Sequence, residues 1–177
     1  SREADMTAKK PRKRKLRPER LRSLLHYNQE TGHFTWLVNC RNSIKVGHQA
    51  GSVSTTTGYR HIMINRSFYT SHRLAWFYVH GCWPPHQLDH INGDITDNRL
   101  SNLREATGAQ NNMNSRRQKN NRSGIKGVCW KSRERKWVAQ IKAGGRRIQI
   151  GAYRSIEDAA SAYRGAALRY FGDFARF

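Results

Sequence analysis

The apolar positions of the chain fall into short runs with changing period, which predicts several small elements and no long helix. In "PERLRSLLHY" (18–27), Leu21, Leu24 and Leu25 recur at helical spacing and predict a short amphipathic helix. "ETGHFTW" (30–36) reads as a turn followed by an aromatic strand. "GYRHIMIN" and "SFYTSHR" alternate across a polar turn and predict a hairpin. In "RLAWFYVHG", Leu74, Phe77, Tyr78 and Gly81 return to helical spacing, with the glycine as the stop. Further on, "GIKGVCWK", "KWVAQIKA" and "RRIQIGAY" predict three short strands joined by tight basic or glycine turns. "SIEDAASAYRGAALRYFG" predicts a helix that starts at a Ser155/Asp158 capping box. Its face of Ala159, Ala160, Tyr163, Ala166, Ala167 and Tyr170 has mostly small side chains, as a helix lying close on a sheet requires.

Between these two patterned regions lies "DHINGDITDNRLSNLREATGAQNNMN" (89–114), poor in core residues and rich in Asn, Asp and Gly. "TGAQ" fits a capping box with Thr107 as N-cap and Gln110 three positions on, so a helix is expected from about residue 108.

Charge adds a partner to this picture. The formal net charge is +21, from 33 Lys+Arg against 12 Asp+Glu, and only 37% of the 177 residues are hydrophobic. A chain this basic repels itself and suits an anionic polymer, nucleic acid first and an anionic membrane surface second. The longest apolar runs, such as "LAWFYV" (74–79), are too short to cross a bilayer. "KKPRKRKLRPER" near the start can build no core, and residues 1–17 are expected to be a disordered basic arm. Met6 is the expected native start, and the arm lacks the apolar stretch of a secretory signal. The three cysteines, Cys40, Cys82 and Cys129, form no CxxC pair, which argues for a reducing compartment and against structural zinc.

Two families resemble this chain. Residues 86–115 resemble HNH nucleases of the ββα-metal class, as found in phage homing endonucleases, and "GYRHIMI…SHRLAWFYVHG" resembles the segment preceding that motif in phage members. Residues 124–177 resemble an AP2 DNA-binding domain through "IKGVCW", "KWVAQIK", "RRIQIGAY" and "EDAASAYRGAALRYFGDFA". The resemblance implies an α+β protein. A small N-terminal α+β unit leads into the ββα-metal motif, and an AP2-like three-stranded antiparallel sheet packed on one helix follows. The expected boundaries are an HNH domain at 18–117 with its ββα core at about 86–117, a linker at 118–123, and the AP2-like domain at 124–177.

Carried over by position, the resemblance makes Asp89 the acidic metal ligand and His90 the general base. Asn102 becomes the loop brace, with Asn98 as a substitute. Asn111 becomes the second metal ligand, with Asn112 as the fallback between adjacent asparagines. The chemistry agrees. A neutral imidazole accepts a proton at physiological pH. One carboxylate and one amide oxygen suit one hard divalent ion, Mg²⁺ or Mn²⁺. Neighbours on a strand face opposite ways, so Asp89 and His90 are expected to sit at a backbone bend. His86 could contact phosphate, and His72 either lies near the site or packs in the core.

Residues 113–154 are rich in Lys and Arg against a single acid, Glu134. By position, the residues expected to read DNA are Lys126, Trp130, Lys131, Arg133, Arg135, Gln140, Lys142, Arg147 and Gln149, with Arg116 and Arg117 adding phosphate contacts. Lys and Gln stand where plant AP2 domains carry more Arg and Trp, so the plant target site is not expected. Trp137 is expected to pack under the sheet.

The expected function is therefore a metal-dependent, homing-like phage endonuclease acting on double-stranded DNA in the host bacterial cytoplasm, as a monomer or weak dimer. It would leave 5′-phosphate and 3′-hydroxyl ends. The alternative is a non-catalytic, sequence-specific DNA-binding regulator; an RNA-binding protein ranks last. A modular layout is expected, in which loss of 120–177 lowers site preference more than cleavage.

Overall fold

The structure, a computed structural model, describes residues 15–39, 44–115 and 120–177. Most of the basic arm, Cys40, Arg116, Arg117 and residues 118 and 119 of the linker lie outside them. The chain is a mixed α+β protein with four α-helices and several small antiparallel sheets among the described residues, and it divides into two compact units, Ser1–Trp83 and Pro84–Phe177.

The first unit begins with α1 (Pro18–Leu24), whose proline sits at the first turn where no backbone donor is needed. The helix ends one residue earlier than its apolar spacing suggests. Leu25 starts β1 (Leu25–Asn28), which pairs with β2 (His33–Trp36). "LHYN" alternates buried and exposed, and Tyr27 packs on Phe34 at 4.8 Å, so cross-strand packing outweighs helical propensity there. β3 (Ser52–Val53), β4 (Arg60–Ile64) and β5 (Ser67–Thr70) form a three-stranded sheet. The expected β4–β5 hairpin is present, turning through Asn65 and Arg66, both at positive φ. Next comes α2 (Ser71–His80), which stops at Gly81 in the left-handed region, as expected. Leu21, Leu25, Phe34, Ile62, Ile64 and Leu74 are fully buried in this unit.

The second unit opens with β6 (Gln87–His90), paired antiparallel with β7 (Leu103–Ala106). A 3₁₀ turn (Leu100–Asn102) leads into β7, and α3 (Gly108–Met113) follows it. The Thr107–Gln110 capping box is present in both directions. β8 (Val128–Lys131), β9 (Lys136–Ala143) and β10 (Arg146–Tyr153) form a sheet in the order β10-β9-β8, on which α4 (Ile156–Phe171) packs. The core row of α4 keeps a strict four-residue spacing through Ala159, Tyr163, Ala167 and Phe171. Tyr170, expected on that row, is 42% exposed, because Phe171 completes it instead. Gly127 has φ +73 and lies against the Tyr163 ring, so only glycine lets β8 begin this close to α4.

The β6–β7–α3 segment and residues 124–177 belong to the same compact unit. Met113, Phe174 and Ala175 all pack against the core cluster formed by the sheet and α4.

Candidate active site

Strand β6 delivers Asp89 and His90, both only 4% exposed. Its register with β7 is unbroken through both residues, Asp89 opposite Arg104 and His90 opposite Leu103. The expected bend therefore does not separate them; the chain turns only afterwards, where Gly93 N–H donates to His90 O at 2.7 Å. Each side chain is buried on its own side by a different partner set.

On one side the Asp89 carboxylate accepts from two residues. Arg104 Nε donates to Oδ2 at 2.9 Å, and Arg104 Nη2 forms an ion pair with the same oxygen at 2.8 Å. Asn114 Nδ2 donates to Oδ1 and Oδ2, both at 2.9 Å, and to the His90 carbonyl at 2.8 Å. Asn114 is itself 5% exposed. On the other side His90 Nε2 lies 3.2 Å from Asn98 Oδ1, and Asn98 Nδ2 donates to Thr96 O at 3.2 Å. Because the amide nitrogen of Asn98 is committed to a carbonyl, its oxygen faces the imidazole. The Asn98 amide thus bridges the imidazole and the Thr96 carbonyl.

Asn102 holds the loop between the strands. Its Oδ1 accepts from the Asn92 backbone N–H at 3.0 Å, and its Nδ2 donates to Asn92 Oδ1 at 3.0 Å and to Asp97 O at 2.9 Å. Arg99, hydrogen-bonded to Asp97, holds that carboxyl well below the usual range, at about 2.

Asn111 bonds to another residue of β6. Its Nδ2 donates to Gln87 Oε1 at 3.1 Å, and Asn112 is exposed. The residue that reaches Asp89 is Asn114, which sequence position alone does not single out. The reason is geometric. Three helical residues rise about 4.5 Å and two strand residues span about 6.6 Å, a difference that the side chains bridge. A helix running alongside β6 thus sets Asn111 against Gln87 and Asn114 against Asp89. Helical periodicity places both asparagines on one face and cannot choose between them. Arg104 also escapes a reading of the motif, although its position in a strand opposite Asp89 is what commits it to the carboxylate.

Lys126 is half-buried, and its Nζ donates to Met113 O at 2.7 Å and Ser115 O at 2.8 Å. Burial, then the nearby Arg176 charge, lowers its pKa to about 8. It therefore ties down the end of α3. Directly paired strand residues project to the same side. Lys131 opposite Lys136, Gln140 opposite Gln149, and Lys142 opposite Arg147 thus share the sheet face away from α4. Lys136 is an addition that the alternation of "KWVAQIKA" already implies. Trp130 pairs with Trp137 on the α4 side, ring centroids 5.1 Å apart, and is 46% exposed. Arg133 and Arg135 lie exposed at the β8–β9 turn. Trp137 packs against the core cluster, as expected. In the first unit, His72 is 9% exposed and its ring lies 5.0 Å from that of Tyr59, a packing role; His86 is exposed just before β6.

Comparison with known proteins bears on the same segment of the chain. The profile of the HNH endonuclease family matches residues 69–113. Protein 3.8 of Escherichia phage T7 is 32% identical over 107 residues, 60% of this chain and 88% of that protein. The chain carries an HNH endonuclease domain and belongs to one family with protein 3.8. At family level the HNH domain is that of a nuclease, a phosphodiester hydrolase with DNA as substrate, and HNH nucleases generally use a divalent metal. The family match covers Asp89, His90, Asn102 and Asn111 and ends one residue before Asn114. No solved structure matches the chain. Among the described residues no helix is long and apolar enough to cross a membrane.

Proposed function

We propose that this HNH protein is a phage-encoded, metal-dependent DNA endonuclease in which His90 is the general base and Asp89 and Asn114 hold the ion. The supporting observation is the meeting of Asp89, Asn114 and the His90 backbone within 2.9 Å. No three His, Cys, Asp or Glu come together among the described residues, so an ion here would complete its shell with amide oxygen, water and phosphate. The donors fit Mg²⁺ or Mn²⁺. Turning the Asn114 amide over exchanges nitrogen for oxygen, and two facing oxygens are favourable only with a cation between them. When bound, such an ion offsets charge on the phosphate and the leaving 3′-oxygen. His90 takes the proton of the attacking water, with Asn98 holding the ring through Nε2. Asn102 keeps the intervening loop closed. Hydrolysis in this sense leaves a 5′-phosphate and a 3′-hydroxyl.

Residues 124–177 supply the grip on double-stranded DNA, in the manner of an AP2-like domain. The face of Lys131, Lys136, Lys142 and Arg147 carries like charges directly opposite one another, which destabilises a bare sheet and suits a polyanion. A homing-like role follows from target binding joined to cleavage in one chain.

The deciding experiment is incubation of supercoiled plasmid with the protein and Mg²⁺ or Mn²⁺, with and without chelator, followed by end mapping. Metal-dependent nicks bearing 5′-phosphates are expected. The second reading, a DNA-binding regulator, is favoured by one observation: Arg104 and Asn114 already satisfy Asp89 without an ion. Binding to DNA with no nicking under any divalent ion would establish it and dismiss the nuclease.

A further inference from the structure

Residues 172–177 follow α4 and fold back onto the β6–β7 loop. A 3₁₀ turn, Gly172–Phe174, begins the segment. Three of its residues then meet the nuclease motif. The Asp173 carbonyl accepts from Arg104 Nη1 at 2.8 Å. The Phe174 ring lies beneath the Arg104 guanidinium, whose central carbon is 3.6 Å from the ring centroid. The Arg176 guanidinium fills the space beside the α-carbon of Gly93, which has φ +66 and no room for a side chain. The remaining two nitrogens of Arg104, Nε and Nη2, are those that hold Asp89 Oδ2. Every guanidinium nitrogen of Arg104 is thus engaged, and its plane rests on an aromatic face.

We infer that segment 172–177 is a positioning element of the nuclease site: Phe174 and the Asp173 carbonyl fix Arg104, and Arg104 fixes the Asp89 carboxylate. The inference rests on Asp89 being the ion-holding carboxylate proposed above. Phe174 also packs on the core cluster with Met113 and Ala175, so the Arg104 background in the test below separates the clamp from that packing. A long arginine side chain samples many rotamers in solution. The flat clamp selects one of them, in which the fork points at Asp89. Small misplacements of such groups are costly to cleavage.

The test uses the full chain with Phe174→Leu, which keeps an apolar side chain and removes the aromatic face, and Phe174→Tyr, which keeps both. Two readouts are followed. The first is solvent exchange of the Arg104 Nε–H by NMR, without metal or DNA. It is expected to be slow in the wild type and in Phe174→Tyr, and fast in Phe174→Leu. The second is single-turnover cleavage, expected to be about tenfold slower in Phe174→Leu with DNA binding unchanged. In an Arg104→Gln background, Phe174→Leu should change the cleavage rate no further. Equal exchange protection in Phe174→Leu, or the same slowing in the Arg104→Gln background, would overturn the inference. Should the wild type cut no DNA, the nuclease proposal fails by itself, and the exchange measurement still decides whether Phe174 holds Arg104.

Discussion

Replacing Asn114 separates the geometric assignment of the site from the one suggested by sequence position. The Asn114 amide makes three hydrogen bonds, to both oxygens of Asp89 and to the His90 carbonyl, from a position 5% exposed. Asn114→Ala removes that donor and leaves the buried carboxylate on Arg104 alone. Leaving a buried charged acceptor underpaired costs about 1–3 kcal/mol, and the abandoned carbonyl adds to it, so destabilisation by about 2–4 kcal/mol is expected. For a unit of this size that lowers Tm by roughly 4–8 °C per kcal/mol. Asn111→Ala removes one hydrogen bond to Gln87 on a partly exposed helix face and should stay within about 0.5 kcal/mol of wild type. Asn114→Asp is the sharper probe. It sets a second carboxylate against Asp89, so the variant should be destabilised in chelator and regain stability with Mg²⁺ or Mn²⁺. That gain grows by mass action, about 2.7 kcal/mol at a hundredfold excess over Kd. Urea unfolding with and without the ion, beside single-turnover cleavage of a labelled duplex, reads both effects. Wild-type cutting by Asn114→Ala beside an inactive Asn111→Ala would refute the geometric assignment.

Other outcomes follow from the same geometry. His90→Ala should bind DNA normally in chelator and cleave about 10²–10⁴-fold more slowly, and a variant cutting at full rate would remove His90 as the base. Lys142→Gln with Arg147→Gln should flatten the dependence of log K on log salt by about 0.9 for each phosphate no longer neutralised, measured by fluorescence anisotropy; an unchanged slope would take the sheet face off the DNA. The pKa of Lys126 is lowered from 10.5 to about 8, so its burial penalises the charged form below about pH 8 and the penalty fades as pH rises towards 10.5. Folding stability should therefore contain a component that increases with pH across that window. Lys126→Met should lack it, which paired urea titrations at the two ends would show.

Much of the scaffold was legible because local signals and packing agree. Gly81 stops α2, and Thr107 caps α3 through the expected box. The three strands over 128–153 appear where alternation and glycine turns put them. Where the two conflict, packing wins: Leu25 has helical spacing but turns into β1 because Tyr27 and Phe34 pair across the hairpin. β6 and β7, expected from the resemblance, do not show in the hydrophobic pattern for a different reason. Their buried positions include Asp89 and His90, whose polarity masks the strand pattern, and the burial is stabilised by Arg104, Asn98 and Asn114, all distant in sequence. Asp89, His90 and Asn102 could be picked out from adjacent motif letters. Asn114 and Arg104 could not, since choosing them requires knowing the register of α3 and β7 against β6.

That register also bears on modularity. Helix α3 has six residues and buries none of them, so its own packing cannot hold it in place. What fixes its end is Lys126, donating to the Met113 and Ser115 carbonyls, and the cluster in which Met113 packs with Phe174 and Ala175. All of these partners except Met113 and Ser115 come from beyond residue 119. A chain ending at 119 would lack the groups that set Asn114 against Asp89, as well as the sheet face offered to DNA. Such a truncation should therefore abolish cleavage together with site preference, where a detachable grip would lose preference and keep cutting. Comparing its cleavage of a long random duplex with that of the full chain decides between the two. Persistent cleavage with relaxed sequence choice would show that the nuclease motif holds its own geometry and that the contacts from 126 and 173–176 are incidental.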